Sequence, residues 1–136
     1  MTYAGDLTPT EAWELLHREP EAVLVDVRSE AEWMFVGVPD VSELGKKLVT
    51  VQWNHWPSGT RNPQFLEELT DAGVSDGPVV FICRSGVRSQ GAATVATAAG
   101  IGPSYNVRDG FEGQIDEHDH RGNGGWRASG LPWRQS

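Results

Sequence analysis

Residues 78–91 read Pro-Val-Val-Phe-Ile-Cys-Arg-Ser-Gly-Val-Arg-Ser-Gln-Gly, and this stretch decides the fold. Val79, Val80, Phe81 and Ile82 form an apolar run of β-branched and aromatic residues, the pattern of a strand buried on both faces. Cys83, the only cysteine of the chain, stands where that strand must end. Arg84, Ser85, Gly86, Val87, Arg88 and Ser89 then make a short polar loop with two guanidiniums and one glycine, and Gln90 to Ala99 is an alanine-rich helical stretch. The order is strand, cysteine, loop, helix.

A loop passing from the carboxyl end of a strand into a helix N-terminus turns several backbone N–H groups toward one point, and the helix dipole adds partial positive charge there. Such a cradle binds anions and stabilises a thiolate. Flanking arginines and serines are poor wall material for a core thiol. Cys83 therefore reads as a nucleophile facing an anionic substrate rather than as a small buried hydrophobe.

The segments around this unit alternate in type. Thr8-Pro9-Thr10-Glu11 opens a helix with Thr8 as N-cap, Pro9 at the first helical position and Glu11 closing a capping box, and Pro20 stops it. Ala22 to Val27 reads as a strand with Asp26 and Arg28 at its carboxyl end. There, in an open parallel sheet, ligands gather, so these two charges are expected near Cys83. Their expected role is structural, an ion pair tying the strand to the next helix through Glu30 or Glu32 and so supporting the loop. Leu48 to Trp53 reads as a strand, Asn62-Pro63 opens a helix to about Ala72 that Gly73 ends, and Ser104 to Val107 is a last short strand. This alternation predicts an α/β three-layer domain with a mainly parallel central sheet and helices on both faces, one domain over residues 1–136.

The loop Cys83-Arg84-Ser85-Gly86-Val87-Arg88 resembles the active-site loop of the rhodanese-like sulfurtransferases, Cys-Arg-x-Gly-x-(Arg/Thr/Ser). Val23 to Arg28 with Glu32-Trp33 is similar to that family's strand and its Asp-x-Arg signature. Tyr105-Asn106-Val107 and Asp109 to Gly113 resemble its last strand and the turn after it, and Trp126 with Gly130-Leu131-Pro132-Trp133 its closing segment. The chain departs from the pattern at Gly37-Val38-Pro39-Asp40-Val41, which has neither the usual histidine nor the second glycine. The resemblance implies a rhodanese-like fold and a catalytic Cys83 that carries sulfane sulfur as a persulfide. It implies a donor such as thiosulfate and cyanide or a thiol, protein thiols included, as acceptor. Arg84 to Ser89 would bind the donor, with Asp26 and Arg28 in support and no cofactor or metal.

Two other classes compete. A cysteine phosphatase or arsenate reductase needs Cys, five residues, then Arg; here Arg88 follows Cys83 after four, and Ser89 holds the required position. A non-catalytic rhodanese-like protein-binding module typically lacks the cysteine that this loop retains.

The formal net charge of −8 argues against broad nucleic-acid or anionic-membrane binding, so an anionic donor must be attracted locally. One cysteine gives no internal disulfide. The segment Met1 to Asp6 has neither the basic nor the apolar part of a signal peptide, and no stretch reaches transmembrane length, which makes a reducing cytoplasmic setting the expectation. Trp53 and Trp56 read as packing residues beside His55, which is a weak candidate base because a loop-stabilised thiolate needs none. Asp116-Glu117-His118-Asp119-His120 reads as a solvated acidic loop rather than a metal site, since nothing fixes its geometry.

Overall fold

The computed structural model describes residues 3–74, 76–115, 117, 121 and 124–135. Strand β1 (Gly5–Leu7) leads into helix α1 (Pro9–Arg18), whose start follows its capping chemistry. Thr8 Oγ1 accepts the Glu11 N–H at 3.1 Å and Glu11 Oε1 accepts the Thr8 N–H at 2.9 Å. Strand β2 (Val23–Asp26) follows, then helix α2 (Glu30–Phe35), opened by a second capping box between Ser29 and Glu32. Strands β3 (Val38–Pro39) and β4 (Val49–Thr50) are short, and helix α3 (Phe65–Asp71) carries the chain to strand β5 (Asp76–Ile82). After it come helix α4 (Val87–Ala98), strand β6 (Gly102–Val107), helix α5 (Gly125–Ala128) and strand β7 (Trp133–Arg134).

Five strands form one sheet in the order β1-β6-β5-β2-β4, and every neighbouring pair in it is parallel. Side chains alternate across it with the period of two that a strand imposes. Val25, Val27, Val79 and Phe81 face Phe65 and Leu69 of α3 and Ala92, Ala93 and Ala96 of α4. Leu24, Val80, Ile82 and Val107 face Leu15 and Leu16 of α1, with Phe111 and Trp126 beside them. The α/β layering expected from the sequence is present: a central parallel sheet with helices on both faces.

The differences from expectation are local. β1 went unread because three residues ending at Leu7 carry no period. β3 and β7 pair antiparallel with each other, Val38 opposite Arg134 and Pro39 opposite Trp133, where the sequence gives only an irregular segment. The expected strand from Leu48 to Trp53 is regular only at Val49–Thr50, although Val51 and Trp53 still donate to the carbonyls of Asp26 and Val27 at 3.1 Å each. α3 starts at Phe65 rather than Asn62, whose Oδ1 instead accepts the Gln64 N–H at 3.0 Å. α4 starts at Val87, not Gln90, because Gly86 at φ +105° turns the chain straight into the helix.

Asp26 and Arg28 are completely buried and pair with each other, not with Glu30 or Glu32 as expected. Arg28 Nε and Nη2 reach both carboxylate oxygens of Asp26, with the shortest contact at 2.7 Å, and Nη2 also donates to the Gly37 carbonyl at 2.6 Å. The guanidinium lies 4.4 Å from the centre of the Phe111 ring. Removing one partner leaves an uncompensated buried charge, the costly case, whereas removing both does not. Asp26→Ala is expected to lower unfolding free energy by about 3–5 kcal/mol. Asp26→Leu with Arg28→Met should recover most of that loss, and denaturant titration of the two variants beside the wild type measures both.

Candidate active site

Cys83 follows β5 directly and is buried at 1% relative exposure. Its own carbonyl accepts the Phe111 N–H at 2.8 Å, the Arg84 carbonyl accepts the Glu112 N–H at 2.9 Å, and the Ser85 carbonyl accepts the Gln114 side-chain amide. A trans peptide points its N–H opposite its C=O. Three successive carbonyls drawn toward residues 111–114 therefore turn the N–H groups of Arg84, Ser85 and Gly86 the other way, into the loop. The Gly86 N–H reaches Cys83 Sγ at 3.1 Å. Beyond it the first turn of α4 adds the open N–H groups of a helix start.

Residues 109–113 can approach the loop this closely because of their backbone. Asp109 and Gly110 both have positive φ, and a Cβ on Gly110 would collide with the Cys83 carbonyl and lie 2.6 Å from the Arg84 carbonyl oxygen. A Cβ on Gly113 would lie 2.6 Å from the Gly124 carbonyl oxygen, and the Trp126 N–H donates to the Gly110 carbonyl at 2.8 Å. The segment around Trp126 thus braces the turn that orients the loop.

The expected site residues fall into separate roles. Arg84 is exposed and has no ion-pair partner among the described residues. Val87 stands at the rim, 70% exposed. Arg88 was expected to face the donor, but its guanidinium is bound bidentately to Glu32, Nη1 to Oε1 at 2.7 Å and Nη2 to Oε2 at 2.9 Å. Ser89 is wholly buried, with its Oγ 3.2 Å from Cys83 Sγ. Asp26 and Arg28 act from below: Arg28 underlies Phe111, whose N–H holds the Cys83 carbonyl.

Two residues have roles that the sequence reading missed, since it named Glu32 only as a partner for the Asp26–Arg28 pair and Asn106 only as part of the last strand. Glu32 could have been found, since Ser29-x-x-Glu32 is a capping-box signature. Asn106 carries no such signal, yet its Oδ1 lies 2.5 Å from Ser89 Oγ. His55 hydrogen-bonds through its backbone, its N–H to the Thr60 carbonyl at 2.8 Å and its carbonyl from the Gly59 N–H at 2.7 Å. Trp53 packs edge-on against Phe65 and over Gly91, under the Arg61 guanidinium, while Trp56 is exposed. Asp116, His118, Asp119 and His120 lie outside the described residues. Among those described, no group of three or more His, Cys, Asp or Glu is placed to hold a metal ion.

Burial works against the charge of Glu32, but hydrogen bonds from Arg88 and from Ser29 outweigh it and bring the carboxyl from 4.5 down to about 2. A depressed carboxylate stabilises the fold above its unfolded value and loses that contribution as pH falls through its folded value. The contribution, about 1–2 kcal/mol once solvent screening of this partly exposed pair is allowed for, is present above pH 4.5 and disappears toward about pH 2. Glu32→Gln should lower stability by that order at neutral pH and flatten its decline across this acid window, as read from urea titrations at a series of pH values.

Comparison with known proteins places these observations in a family. The family described as the STR4 middle domain matches residues 5–136. The solved structure of Rv0390 from M. tuberculosis is 61% identical, with TM-score 0.92, covering 99% of this chain and all of that one. An uncharacterized protein of Rickettsia rickettsii, the RP600 homolog, is 34% identical over 95% of this chain and 96% of its own length. The chloroplastic protein THYLAKOID RHODANESE-LIKE of Oryza sativa is 29% identical over 95% of this chain, which spans 25% of that longer protein. A polysulfide-sulfur transferase from Wolinella succinogenes shares the fold at 24% identity and TM-score 0.65, over 96% of this chain and 78% of its own. The chain belongs to the STR4 middle domain family, and its fold is rhodanese-like.

Proposed function

We propose that this protein is a sulfurtransferase that moves sulfane sulfur from a small anionic donor such as thiosulfate, through a persulfide on Cys83, to cyanide or a thiol. The observation that carries this reading is the inward turn of the loop amides, with the Gly86 N–H on Cys83 Sγ at 3.1 Å. A persulfide extends the side chain by one sulfur and puts the negative charge on that outer atom, where a ring of N–H groups and a helix start are the stabilising neighbours.

In the first half-reaction the Cys83 thiolate attacks the sulfane sulfur of thiosulfate. The new Sγ–S bond forms as the bond to the sulfonate sulfur breaks, and its electron pair leaves with sulfite. In the second, cyanide or a thiolate attacks the outer sulfur, and the Sγ–S electron pair returns to Cys83 as thiolate. No cofactor, metal or external electron carrier enters either step. Arg84 supplies the mobile cation for the doubly charged donor, since the Arg88 charge is met by Glu32. The aliphatic Val87 at the rim favours an acceptor that brings an apolar surface, as a protein thiol would.

Incubation with thiosulfate should add the mass of one sulfur atom to the intact protein, and cyanide should remove it as thiocyanate. Cys83→Ser should abolish both while the fold persists, because no second thiol exists. Phosphatase activity without a mass gain would favour the phosphatase class, and the absence of both a non-catalytic binding module.

Donor choice is tested at Arg84. Thiosulfate carries its sulfonate oxygens beside the transferred sulfur, and guanidinium suits paired contacts with such oxygens. Arg84→Gly should raise the KM for thiosulfate about three- to ten-fold, the solvent-screened low end for a charge-assisted contact. It should also weaken the salt dependence of KM and improve use of 3-mercaptopyruvate relative to thiosulfate. Steady-state kinetics at several ionic strengths checks all three.

A further inference from the structure

The Ser89 hydroxyl has one proton and two neighbours that can take it, Asn106 Oδ1 at 2.5 Å and Cys83 Sγ at 3.2 Å. Which of them receives it depends on how the Asn106 amide is turned, and that is fixed from the far side. Asn106 Nδ2 donates to Asp6 Oδ1 at 3.0 Å, and the Tyr3 hydroxyl donates to the same oxygen at 2.7 Å. A carboxylate can only accept, so the NH2 end of Asn106 must face Asp6 and its carbonyl oxygen must face Ser89. Two oxygens at 2.5 Å need a hydrogen between them, and the amide oxygen has none. The Ser89 proton therefore lies on Asn106, and a lone pair of Ser89 Oγ faces the sulfur.

We propose that Asn106, oriented by Asp6, is a positioning residue that holds the Ser89 hydroxyl proton while Cys83 Sγ is neutral and yields it to Sγ when that sulfur is anionic. The change is a rotation of one hydroxyl, with no net proton transfer. The neutral states of Sγ are the free thiol and, on the sulfurtransferase reading on which this inference rests, the persulfide, in which charge has moved to the outer sulfur. The anionic states are the attacking thiolate and the leaving thiolate of the second half-reaction. Asn106 and Asp6 thus bias the site toward the neutral, loaded form, opposing the cradle that favours the thiolate. Ser89, Asn106 and Cys83 are all buried at or below 4% exposure, so water does not compete for the proton, while Asp6 is exposed and can be altered without opening the core.

The other charged groups on the elements packed around the loop are Arg88 on α4 with its partner Glu32 on α2, the Asp26–Arg28 pair at the end of β2, Arg84 in the loop, and Asp109 and Glu112 in the turn that holds it, Glu112 paired with Arg127. Tyr3 lies behind Asp6. An uncharged substitution at Asn106 leaves all of these in place, so a change in thiolate formation reports the hydroxyl.

The experiment is a pH titration of thiolate ultraviolet absorbance, each variant being blanked by its own Cys83→Ser counterpart; Cys83 is the only cysteine, so the difference belongs to it. Asn106→Leu and Asp6→Ala should each move the midpoint down by about one pH unit, the worth of one hydrogen bond to a charged group. Asp6→Asn keeps an acceptor oxygen for Asn106 without the charge and should stay near wild type. Ser89→Ala added to Asn106→Leu should reverse the shift. The proposal is overturned if Asn106→Leu leaves the midpoint unchanged or raises it, or if Asp6→Asn moves it as far as Asp6→Ala, which would make the effect simple charge repulsion. Should Asn106→Leu fail to fold, the two Asp6 variants decide alone. No sulfur donor is present, so this titration can fail while transfer from thiosulfate succeeds, and the reverse.

Discussion

The carbonyl oxygens of Cys83, Arg84 and Ser85 face outward, and the site depends on this one constraint. Peptide planarity converts three outward carbonyls into three inward N–H groups without any side chain. The constraint is met by the turn at 109–113, which lies against the loop because Gly110 has no Cβ. That turn is held by Arg28 beneath Phe111 and by Trp126 through the Gly110 carbonyl. Arg28 in turn is neutralised by Asp26 at the end of β2, the strand beside β5. The buried pair thus reaches the chemistry through two intermediates: ring to backbone, and backbone to loop.

Electrostatics at the site set a chain of net charge −8 against the local anion binding that the proposed function requires. Backbone dipoles suit that task because they are fixed, buried and screened less than surface side chains. Of the two loop arginines, Arg88 has its charge met by Glu32, and burial would otherwise disfavour it. Glu32 holds both the start of α2, through Ser29, and the first turn of α4, through Arg88. It therefore keeps α2 in register with the loop's helical end, a mechanical role for a carboxylate held ionised by its cation.

What could be read from the sequence was whatever rested on local pattern. The capping box at Thr8 and Glu11, the apolar run at Val79 to Ile82 and the glycine after Cys83 state their geometry within a few residues. What could not be read involves partners far apart in the chain. Asn106 bonds Asp6 across 100 positions and Arg88 bonds Glu32 across 56. Asn106 in sequence is a polar residue in a short strand, and only the parallel pairing of β1 with β6, Asp6 beside Asn106, gives it a role. The same parallel pairing explains why β1 was missed: strands so short are specified by their neighbour rather than by their own composition. The Leu48 to Trp53 stretch was overread for the opposite reason, because its β-branched residues are present but Trp53 turns to cover Gly91.

The course of Arg88 also bears on the proposed choice of sulfur over phosphorus. An oxyanion of phosphate size needs a ring of amides wide enough to surround three oxygens and an arginine that closes on them from within. Here the ring is one residue shorter than the Cys-five-residues-Arg pattern, and the arginine at its end is bound by both amino groups to a carboxylate. Directing Arg88 to a substrate would break a bidentate pair that is only about one-quarter exposed at the guanidinium and one-fifth at the carboxylate, leaving Glu32 without its cation. A single sulfur atom asks for less: one anionic centre, close to Sγ, within a few N–H groups. The short ring and the committed arginine are two independent features that favour the smaller anion.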